Sequence, residues 1–306
     1  MNWDFKPYYS LDYFLKKKFG VKVAKISVDA GFTCPNRDGR LSFSGCSFCS
    51  GRGSGDFALY KGESVISQLE KGKQNMKKWK AGGFVAYFQA YTNTYAPPDV
   101  LRDIYFQALE LKDLKGVAIA TRPDCIDEDV ISVLKELAQK TYVWVELGFQ
   151  TSNENTARAI NRGYKNEVFS KAVETLTENG FDTVAHVIFG LPGETEEDMM
   201  NTIDFLNKTK IKGIKIQSLH ILKNTPLARE FEETGFRILE KEEYINLVCK
   251  ALERLSPDIV VHRLTGDGKK SDVIAPKWAF DKKSVLNGVY KTLTAKNSWQ
   301  GREFVL

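Results

Sequence analysis

The sequence contains few cysteines and histidines, and the cysteines are not arranged as a disulfide framework requires. Its 306 residues include five cysteines and three histidines. Three of the cysteines, Cys34, Cys46 and Cys49, are crowded into one short stretch. An odd number of cysteines with this crowding excludes a disulfide-stabilised secreted scaffold and favours a reducing compartment.

Long apolar runs and a glycine-rich nucleotide-binding pattern are also missing. No run approaches the ~18 apolar residues of a transmembrane helix, and the first residues do not resemble a signal peptide. The absence of G-x-G-x-x-G argues against a Rossmann-type dinucleotide site. The 42% hydrophobic and 27% charged residues are typical of a globular protein with a large core. We therefore expect a cytoplasmic protein with no membrane partner.

Positive charge is concentrated at the two ends of the chain. Residues 1–80 contain 15 Lys and Arg against 7 Asp and Glu, and residues 262–306 contain 9 against 4. The middle, residues 81–261, is acidic, with 20 against 28. This asymmetry is expected if both ends contact one anionic partner such as a nucleic acid. The alternative is that the basic runs are ordinary solvated surfaces.

Apolar, β-rich runs alternate with stretches of helical periodicity, which predicts parallel strands joined by crossover helices. The predicted strands are 22–29, 84–89, 116–121, 142–150, 182–190 and 213–222. The fold class is therefore α/β, a partial (β/α)6 TIM-like barrel, with a closed eight-unit barrel as the alternative. The run 258–266 is a candidate seventh strand. We expect one domain over 1–306, with an extension at 1–21, the barrel core at 22–222 and C-terminal helices with a basic extension at 223–306.

Polar residues gather at the predicted carboxyl ends of these strands, where barrel enzymes place their active sites. They lie in the ranges 89–95, 121–124, 146–150, 186–194 and 217–220. The crowded cysteines follow the first strand, so they emerge at the same end. The sequence therefore predicts one shared site.

The cysteines occur in the stretch 31–51 with the spacing C-x11-C-x2-C. Three thiolates from one loop can hold three irons of a 4Fe–4S cluster and leave the fourth iron open to a ligand, whereas four cysteines would close the cluster. A structural zinc site is the alternative. Zinc normally needs a fourth cysteine or histidine at matching spacing, and none lies nearby.

This stretch resembles the cluster loop of radical S-adenosylmethionine (SAM) enzymes, in which an aromatic residue, here Phe48, precedes the last cysteine. The commonest spacing in that superfamily is tighter, and the long first gap resembles the branch that contains the elongator catalytic subunit. The phrase 29–49 is closer still to the bacterial YtqA/YhcC-type group. The resemblance implies that Cys34, Cys46 and Cys49 hold the cluster and that SAM is cleaved there to a 5′-deoxyadenosyl radical.

The resemblance also implies contacts to SAM. Phe48 and Ile188 are expected against the adenine, the latter because HVIFGLPGET resembles the superfamily's GxIxGxxxE element. Gln89 or Asn93 is expected to accept a hydrogen bond from the methionyl ammonium. Both residues follow the second strand at the position of the superfamily's GGE motif, although the amino acids differ from that motif. Gln217 ends the sixth strand and is expected to face the same ligand.

Three further residues are expected around SAM. Arg122 lies in TRPDCI, which matches the elongator-like branch, and is expected to clamp a carboxylate, most simply that of SAM. The alternative is a salt bridge to Asp124 or Glu146. Glu146 and Gln150, four residues apart on one strand, are predicted to meet the ribose hydroxyls, with a structural ion pair as the alternative for Glu146.

Two histidines and the two remaining cysteines each allow an ordinary interpretation. His186 and His220 are candidate proton donors at the open end of the barrel, or simply hydrogen-bonded packing. Cys125 and Cys249 behave as small hydrophobic residues in most proteins. With only these two cysteines spare, a second cysteine-bound cluster is not expected, which counts against a methylthiotransferase.

The segment VHRLTGDGKK, residues 261–270, resembles the YtqA/YhcC-type group rather than the superfamily at large. Residues peculiar to a subgroup are candidates for substrate recognition, here His262, Arg263, Lys269 and Lys270. Cations suit pairing with the phosphates of a nucleic acid. The alternative is that this segment only caps the open barrel.

The same resemblance implies a tRNA substrate and a specific reaction. The reaction is the trimming of 5-carboxymethylaminomethyluridine to 5-aminomethyluridine at the wobble position, with an electron donor such as flavodoxin or ferredoxin. Two alternatives stay open: a radical SAM enzyme that acts on a small metabolite or peptide, and a non-catalytic zinc or iron–sulfur binding module.

Overall fold

The computed structural model of the chain describes residues 3–53, 55, 62–266 and 268–305. Its strands are β1 (Val23–Val28), β2 (Gly83–Phe88), β3 (Leu114–Thr121), β4 (Tyr142–Gln150), β5 (Asp182–Phe189), β6 (Gly213–Ser218), β7 (Ile221–Leu222), β8 (Val260–Arg263) and β9 (Val273–Ala275). Its helices are α1 (Leu11–Phe19), α2 (Val65–Asn75), α3 (Pro98–Phe106), α4 (Glu128–Ala138), α5 (Glu154–Ala159), α6 (Asn166–Glu178), α7 (Glu196–Asn207), α8 (Pro226–Thr234), α9 (Lys241–Arg254) and α10 (Lys282–Ala295). Among the helices of these described residues, none has the length and apolar content needed to cross a lipid bilayer.

Seven strands form one parallel sheet in the order β1-β2-β3-β4-β5-β6-β8. The contact between Lys25 Nζ on β1 and Glu146 Oε1 on β4, at 3.1 Å, shows that the sheet is curled. In a flat sheet, three spacings of ~4.8 Å would separate the two backbones. The sheet is a half-barrel, which confirms the predicted partial TIM-like α/β barrel. The candidate seventh strand is present as β8, at the edge beside β6.

The two faces of the sheet have different surroundings. Outward-facing side chains such as Ile119 and Leu147 are fully buried under the helices in the main core. Inward-facing Val85, Ala118 and Trp144 form a smaller apolar layer inside the barrel. Because side chains alternate along a strand, every second residue points into the barrel, and the carboxyl-terminal ones are available to line a site.

Two details of the fold differ from the sequence prediction. The predicted strand 213–222 is interrupted, because the chain leaves the sheet after Ser218 and β7 pairs antiparallel with β9. Helix α5 was not predicted, since its six residues are too few to show helical periodicity. Its start is nevertheless encoded locally, because the Asn153 side chain accepts hydrogen bonds from the amides of Asn155 and Thr156.

The two chain ends meet below the barrel at Gln300, which is fully buried. Its Oε1 accepts a hydrogen bond from the amide of Tyr9 at 2.9 Å. Its Nε2 donates to the carbonyls of Ser256 and Ile259 at 2.7 and 2.8 Å. Both terminal segments are thereby joined to the region that leads into β8, while the assignment of 1–306 to a single domain stays a prediction.

We predict that Gln300→Leu lowers the free energy of unfolding by about 3 kcal/mol, because it removes the side-chain partner of the Tyr9 amide and of the Ile259 carbonyl, and one of the two hydrogen bonds to the Ser256 carbonyl. Urea unfolding followed by circular dichroism measures this change. The control is Gln139→Leu, the same substitution at an exposed position after α4. Equal unfolding midpoints for the two variants would contradict the proposed role of Gln300.

Candidate active site

A cavity of about 380 Å³ opens at the carboxyl ends of the barrel strands. Cys34, Cys46 and Cys49 line it together with residues from β1, β2, β3, β4, β5, β6 and β8. The carboxyl ends of parallel strands meet at one edge of a sheet. The structure therefore brings the cysteine loop and the polar strand ends to one place.

The cysteine loop is held by the segment that follows α5. Asn36 Nδ2 donates to the carbonyl of Asn161, and Asn161 Nδ2 donates to the carbonyl of Gly45, both at 2.7 Å. The amide of Gly45 in turn donates to the carbonyl of Asn36 at 2.7 Å. Gly45 has a positive φ of 74°, and a Cβ there would lie 2.8 Å from the guanidinium of Arg37. That guanidinium donates to the carbonyls of Cys49 and Ser50, so a larger residue at 45 would disturb the loop.

The environment of the thiols suits a cationic metal cluster. Burial, and then the neighbouring Cys49, raise the pKa of Cys46 to about 12. A thiolate at this position therefore needs a positive partner such as iron. Within the described ranges, no three His, Cys, Asp or Glu side chains converge closely enough to hold a single metal ion. A 4Fe–4S cluster does not require such convergence, because each thiolate binds a different iron.

Deeper in the barrel lies a buried ion cluster centred on Glu146, whose side chain is inaccessible to solvent. Its Oε1 lies 3.1 Å from Lys25 Nζ and accepts a hydrogen bond from Trp144 Nε1 at 2.9 Å. Its Oε2 contacts Lys215 Nζ and lies 2.8 Å from His186 Nε2. Burial alone would raise the pKa of Glu146, but Lys215 and Lys25 outweigh it and hold that pKa well below its usual range. The carboxylate is therefore ionised at neutral pH.

Two family models match the chain: the radical SAM superfamily over residues 33–206 and the radical SAM C-terminal domain over residues 211–295. YtqA of Bacillus subtilis is 44% identical over 300 residues, which cover 98% of this chain and 93% of YtqA. The chain belongs to the radical SAM superfamily. YhcC of Escherichia coli is 33% identical over 265 residues, which cover 86% of this chain and 85% of YhcC.

More distant radical SAM proteins are also similar. The structure of Elp3 from Methanocaldococcus infernus aligns with a TM-score of 0.69 at 16% identity, over 91% of this chain and 64% of that chain, which shows a shared fold. A tRNA-2-methylthio-N(6)-dimethylallyladenosine synthase of Clostridioides difficile is 23% identical over 188 residues, or 60% of this chain and 37% of that protein. Radical SAM enzymes use a 4Fe–4S cluster and SAM. The three thiols at the mouth of the cavity suit that cluster.

Most of the residues predicted to contact SAM line the cavity. They are Phe48, Gln89, Arg122, Glu146, Gln150, Ile188 and Gln217. Phe48 packs against the same small apolar cluster that contains Ile188, which agrees with a shared adenine contact. Gln89 Nε2 is buried without a hydrogen-bond partner among the described residues, so this amide is available to a ligand. These roles remain predictions.

Asn93, the other candidate for the methionyl ammonium, does not line the cavity. Its side chain is fully buried, and its Nδ2 donates to the carbonyl of Ala120 at 2.8 Å. The chain turns away from the barrel interior after β2, which directs this amide toward β3. Asn93 Oδ1 is nevertheless buried without a hydrogen-bond partner among the described residues, so the choice between Gln89 and Asn93 stays a prediction.

Arg122 and Glu146 both form ion pairs within the protein, as the alternative interpretation of each residue predicted. Arg122 donates twice to Asp124, at 2.9 and 2.8 Å, and once to the carbonyl of Arg162 at 3.0 Å. Both oxygens of Glu146 contact cationic or N–H groups of the protein. Both side chains line the cavity, but their hydrogen-bonding capacity is largely used within the protein.

Two of the three histidines, His186 and His220, line the cavity. Burial lowers the pKa of His186 and of His220 to about 4, with Lys215 and Lys282 respectively as the next causes, so both are neutral at pH 7. His220 Nε2 is buried without a partner among the described residues and lines the cavity. His186 is hydrogen-bonded to Glu146.

The predicted substrate residues are separated in space. Arg263 lines the cavity, whereas Lys269 and Lys270 lie beyond β8 and do not line it. His262 does not line the cavity either: its ring lies inside the barrel, edge-on to Trp144, with Nδ1 3.9 Å from Glu146 Oε1. Its substrate role stays a prediction. The pairing of β6 with β8 skips His262, and this irregularity turns both His262 and Arg263 inward.

Sequence reasoning missed Lys25, Tyr87, Lys215 and Arg162. Lys25 and Lys215 interrupt otherwise apolar strands, and a charged residue at an inward position of such a strand was the available signal. Arg162 is 1% exposed and donates to the carbonyls of Phe149 and Thr151 at the end of β4. Its position in a short polar connection gave no such signal.

We predict that Glu146→Gln lowers the free energy of unfolding at pH 7 by about 3–5 kcal/mol, because it leaves Lys25 and Lys215 buried without their counterion. The depressed pKa of Glu146 means that its contribution is present above the unfolded-state pKa of ~4.3 and is lost as the pH falls through the folded-state value. The difference between wild type and variant should therefore shrink below about pH 4. Denaturant unfolding at several pH values measures both effects.

The matched control is Glu136→Gln, which removes a carboxylate from a solvent-exposed pair with Arg102 on the outer helices. Because exposed ion pairs contribute little, the control should unfold nearly as the wild type does. A Glu146→Gln protein as stable as this control would refute the central role of Glu146.

Proposed function

We propose that this radical SAM enzyme modifies tRNA, and that it trims 5-carboxymethylaminomethyluridine to 5-aminomethyluridine at the wobble position. The observation that carries the proposal is the cavity itself, which is lined by three thiols, by amide and imidazole nitrogens that lack a partner among the described residues, and by the cationic side chains of Lys25, Lys215 and Arg263. The name of the Clostridioides difficile relative points to tRNA as a substrate within this superfamily. The basic ends of the chain are consistent with an RNA partner.

In this proposal Cys34, Cys46 and Cys49 would hold the cluster, which when bound would supply the electron for the reductive cleavage of SAM. Phe48 and Ile188 would pack on the adenine. Leu219, Ile221 and Leu227 belong to the same buried apolar cluster and would help to exclude water from the reacting groups.

The other side chains of the cavity would orient SAM by hydrogen bonds. Gln89 would accept from the methionyl ammonium through its Oε1, Gln150 would meet the ribose hydroxyls, and Gln217 would lie beside them. Electrons would come from a small carrier such as flavodoxin or ferredoxin, and we place the protein in the cytoplasm.

We predict that wild-type protein, reconstituted anaerobically with iron and sulfide and reduced with dithionite, converts SAM to 5′-deoxyadenosine and that tRNA increases the yield. Cys46→Ala should reduce both bound iron and 5′-deoxyadenosine to background while the circular dichroism spectrum is retained. Mass spectrometry of 5′-deoxyadenosine and of nucleosides from digested tRNA measures the outcome.

Cys125→Ala is the matched control, because Cys125 is also a partly buried thiol near Arg122 but does not line the cavity. It should retain iron and activity. Full iron content in Cys46→Ala would refute the choice of ligands. A fully loaded wild-type protein that forms no 5′-deoxyadenosine even with tRNA would favour a metal-binding module, and turnover without any effect of tRNA would favour a metabolite or peptide substrate.

Lys269 and Lys270 lie outside the cavity, and we predict that they contact tRNA phosphates. Replacing both with Gln should weaken tRNA binding and reduce the slope of log K against log salt by about 1–2, since each neutralised phosphate contributes ~0.7–0.9. Fluorescence anisotropy at several salt concentrations measures the slope.

The control for this prediction is Lys135→Gln with Lys140→Gln, which removes two exposed charges on and after α4 in the acidic part of the chain. It should leave the slope unchanged. Equal slopes for both double variants would show that the segment after β8 does not bind the RNA.

A further inference from the structure

The floor of the cavity contains two ammonium groups that share one carboxylate. Lys25 from β1 and Lys215 from β6 both contact Glu146 from β4. Both ammonium nitrogens also lie over the ring of Tyr87, 4.4 and 4.3 Å from its centroid, and Lys215 Nζ donates to the Tyr87 hydroxyl at 2.9 Å. The two lysines are therefore held close together in the barrel interior.

Cationic side chains outnumber acidic ones around this cavity. Among the described residues that line it, Lys25, Arg37, Arg122, Lys215 and Arg263 are basic, and Glu146 is the only acidic one. Arg37 and Arg122 are used elsewhere, since Arg37 binds carbonyls of the cysteine loop and Arg122 binds Asp124. Burial lowers the pKa of Lys215 well below its usual range. Lys25 and the guanidinium of Arg263 nevertheless outnumber the one carboxylate, so positive charge exceeds negative charge among the described side chains of this floor.

Arg263 reaches the same floor from the edge strand. The sheet register pairs it with Lys215, and its Nη1 lies 3.5 Å from Gln217 Oε1. A guanidinium offers several N–H donors in a planar fork that matches a carboxylate. Lys25, Lys215 and Arg263 therefore provide converging donors at the inner end of the cavity, which we call the cationic floor.

A surplus of positive charge in a partly buried cavity is costly unless a ligand supplies negative charge. The phosphates of a polynucleotide stay on its backbone, whereas a base flipped out of the chain carries its own substituent into an enzyme cavity. SAM also carries a carboxylate, but its expected place is near Arg122, beside the thiols rather than at the inner end. An anion at the inner end would then be one attached to the base. In the proposed substrate, that group is the carboxylate of the uridine side chain.

We propose that the cationic floor binds the terminal carboxylate of the substrate's side chain, and so selects the carboxylate-bearing nucleoside over the trimmed product. This inference rests on the proposed function. It adds a physical reason for product release, because 5-aminomethyluridine lacks the carboxylate and presents an ammonium to a positively charged floor.

The test compares two anticodon stem–loop RNAs that differ only in the wobble nucleoside, one with the carboxymethylaminomethyl group and one with the aminomethyl group. Wild-type protein loaded with its cluster should bind the carboxylate RNA at least about tenfold more tightly, the typical discrimination of one charge-assisted contact. Lys25→Met and Arg263→Gln should each reduce this preference to less than about threefold, mainly by weakening the binding of the RNA that carries the carboxylate. Anaerobic fluorescence anisotropy measures the affinity of the wild type and of each variant for each of the two RNAs.

Lys212→Met is the matched control, because Lys212 is an exposed lysine directly before β6 and does not line the cavity. It should keep the full preference. Arg263→Lys tests the same site without removing the charge, and it should retain part of the preference. Thermal unfolding shows whether each variant is folded.

The outcomes separate this inference from the proposed function. Wild-type protein that turns over the carboxylate RNA but binds both RNAs equally would overturn the inference alone, as would an undiminished preference in both Lys25→Met and Arg263→Gln. A wild-type protein that neither binds nor turns over the carboxylate RNA would overturn the proposed function and the inference with it. Loss of the preference in these variants, with Lys212→Met unaffected, would support the inference.

Discussion

The interaction on which the rest of the barrel depends is the contact of Glu146 with Lys25 and Lys215. These residues come from the first, fourth and sixth strands of the sheet, so their contacts require the sheet to be curled. A charge buried in a barrel is costly without partners. This buried ion cluster is therefore stable only when the sheet is curled. It also places charged side chains beneath the cavity, where the interior of a barrel is usually filled by apolar side chains.

A second constraint couples the cysteine loop to the end of β4. Asn36 and Asn161 exchange hydrogen bonds between the loop and the segment after α5. The next residue, Arg162, binds the carbonyls at the end of β4 and also accepts a hydrogen bond from Arg122 through its own carbonyl. The position of the thiols relative to the barrel thus depends on this chain of polar contacts as well as on the hydrogen bonds within the loop.

The cavity combines two kinds of environment. Near the thiols, Phe48 and Ile188 belong to an apolar cluster that suits an adenine ring. At the inner end, Lys25, Lys215 and Arg263 form the cationic floor, with Glu146 between the two lysines. Phe48 and Ile188 lie in motifs shared with the superfamily and are predicted to contact SAM, whereas Lys25 and Lys215 lie outside those motifs.

Local patterns in the sequence were sufficient for the barrel and for the three thiols. Strand and helix periodicity depends on neighbours within a few residues, and the spacing of Cys34, Cys46 and Cys49 lies within one loop. This is why the parallel half-barrel, its seventh strand and the position of the cysteines at the carboxyl ends of strands were predictable.

Tertiary structure alone decided which polar side chains meet. Lys25 and Lys215 are 190 residues apart in the chain, and no periodicity indicates that one carboxylate lies between them. The irregular pairing of β6 with β8 turned His262 into the barrel, and the turn after β2 directed Asn93 away from the cavity. These outcomes depend on strand register and sheet curvature, which arise from packing across the whole barrel and leave no local trace in the sequence.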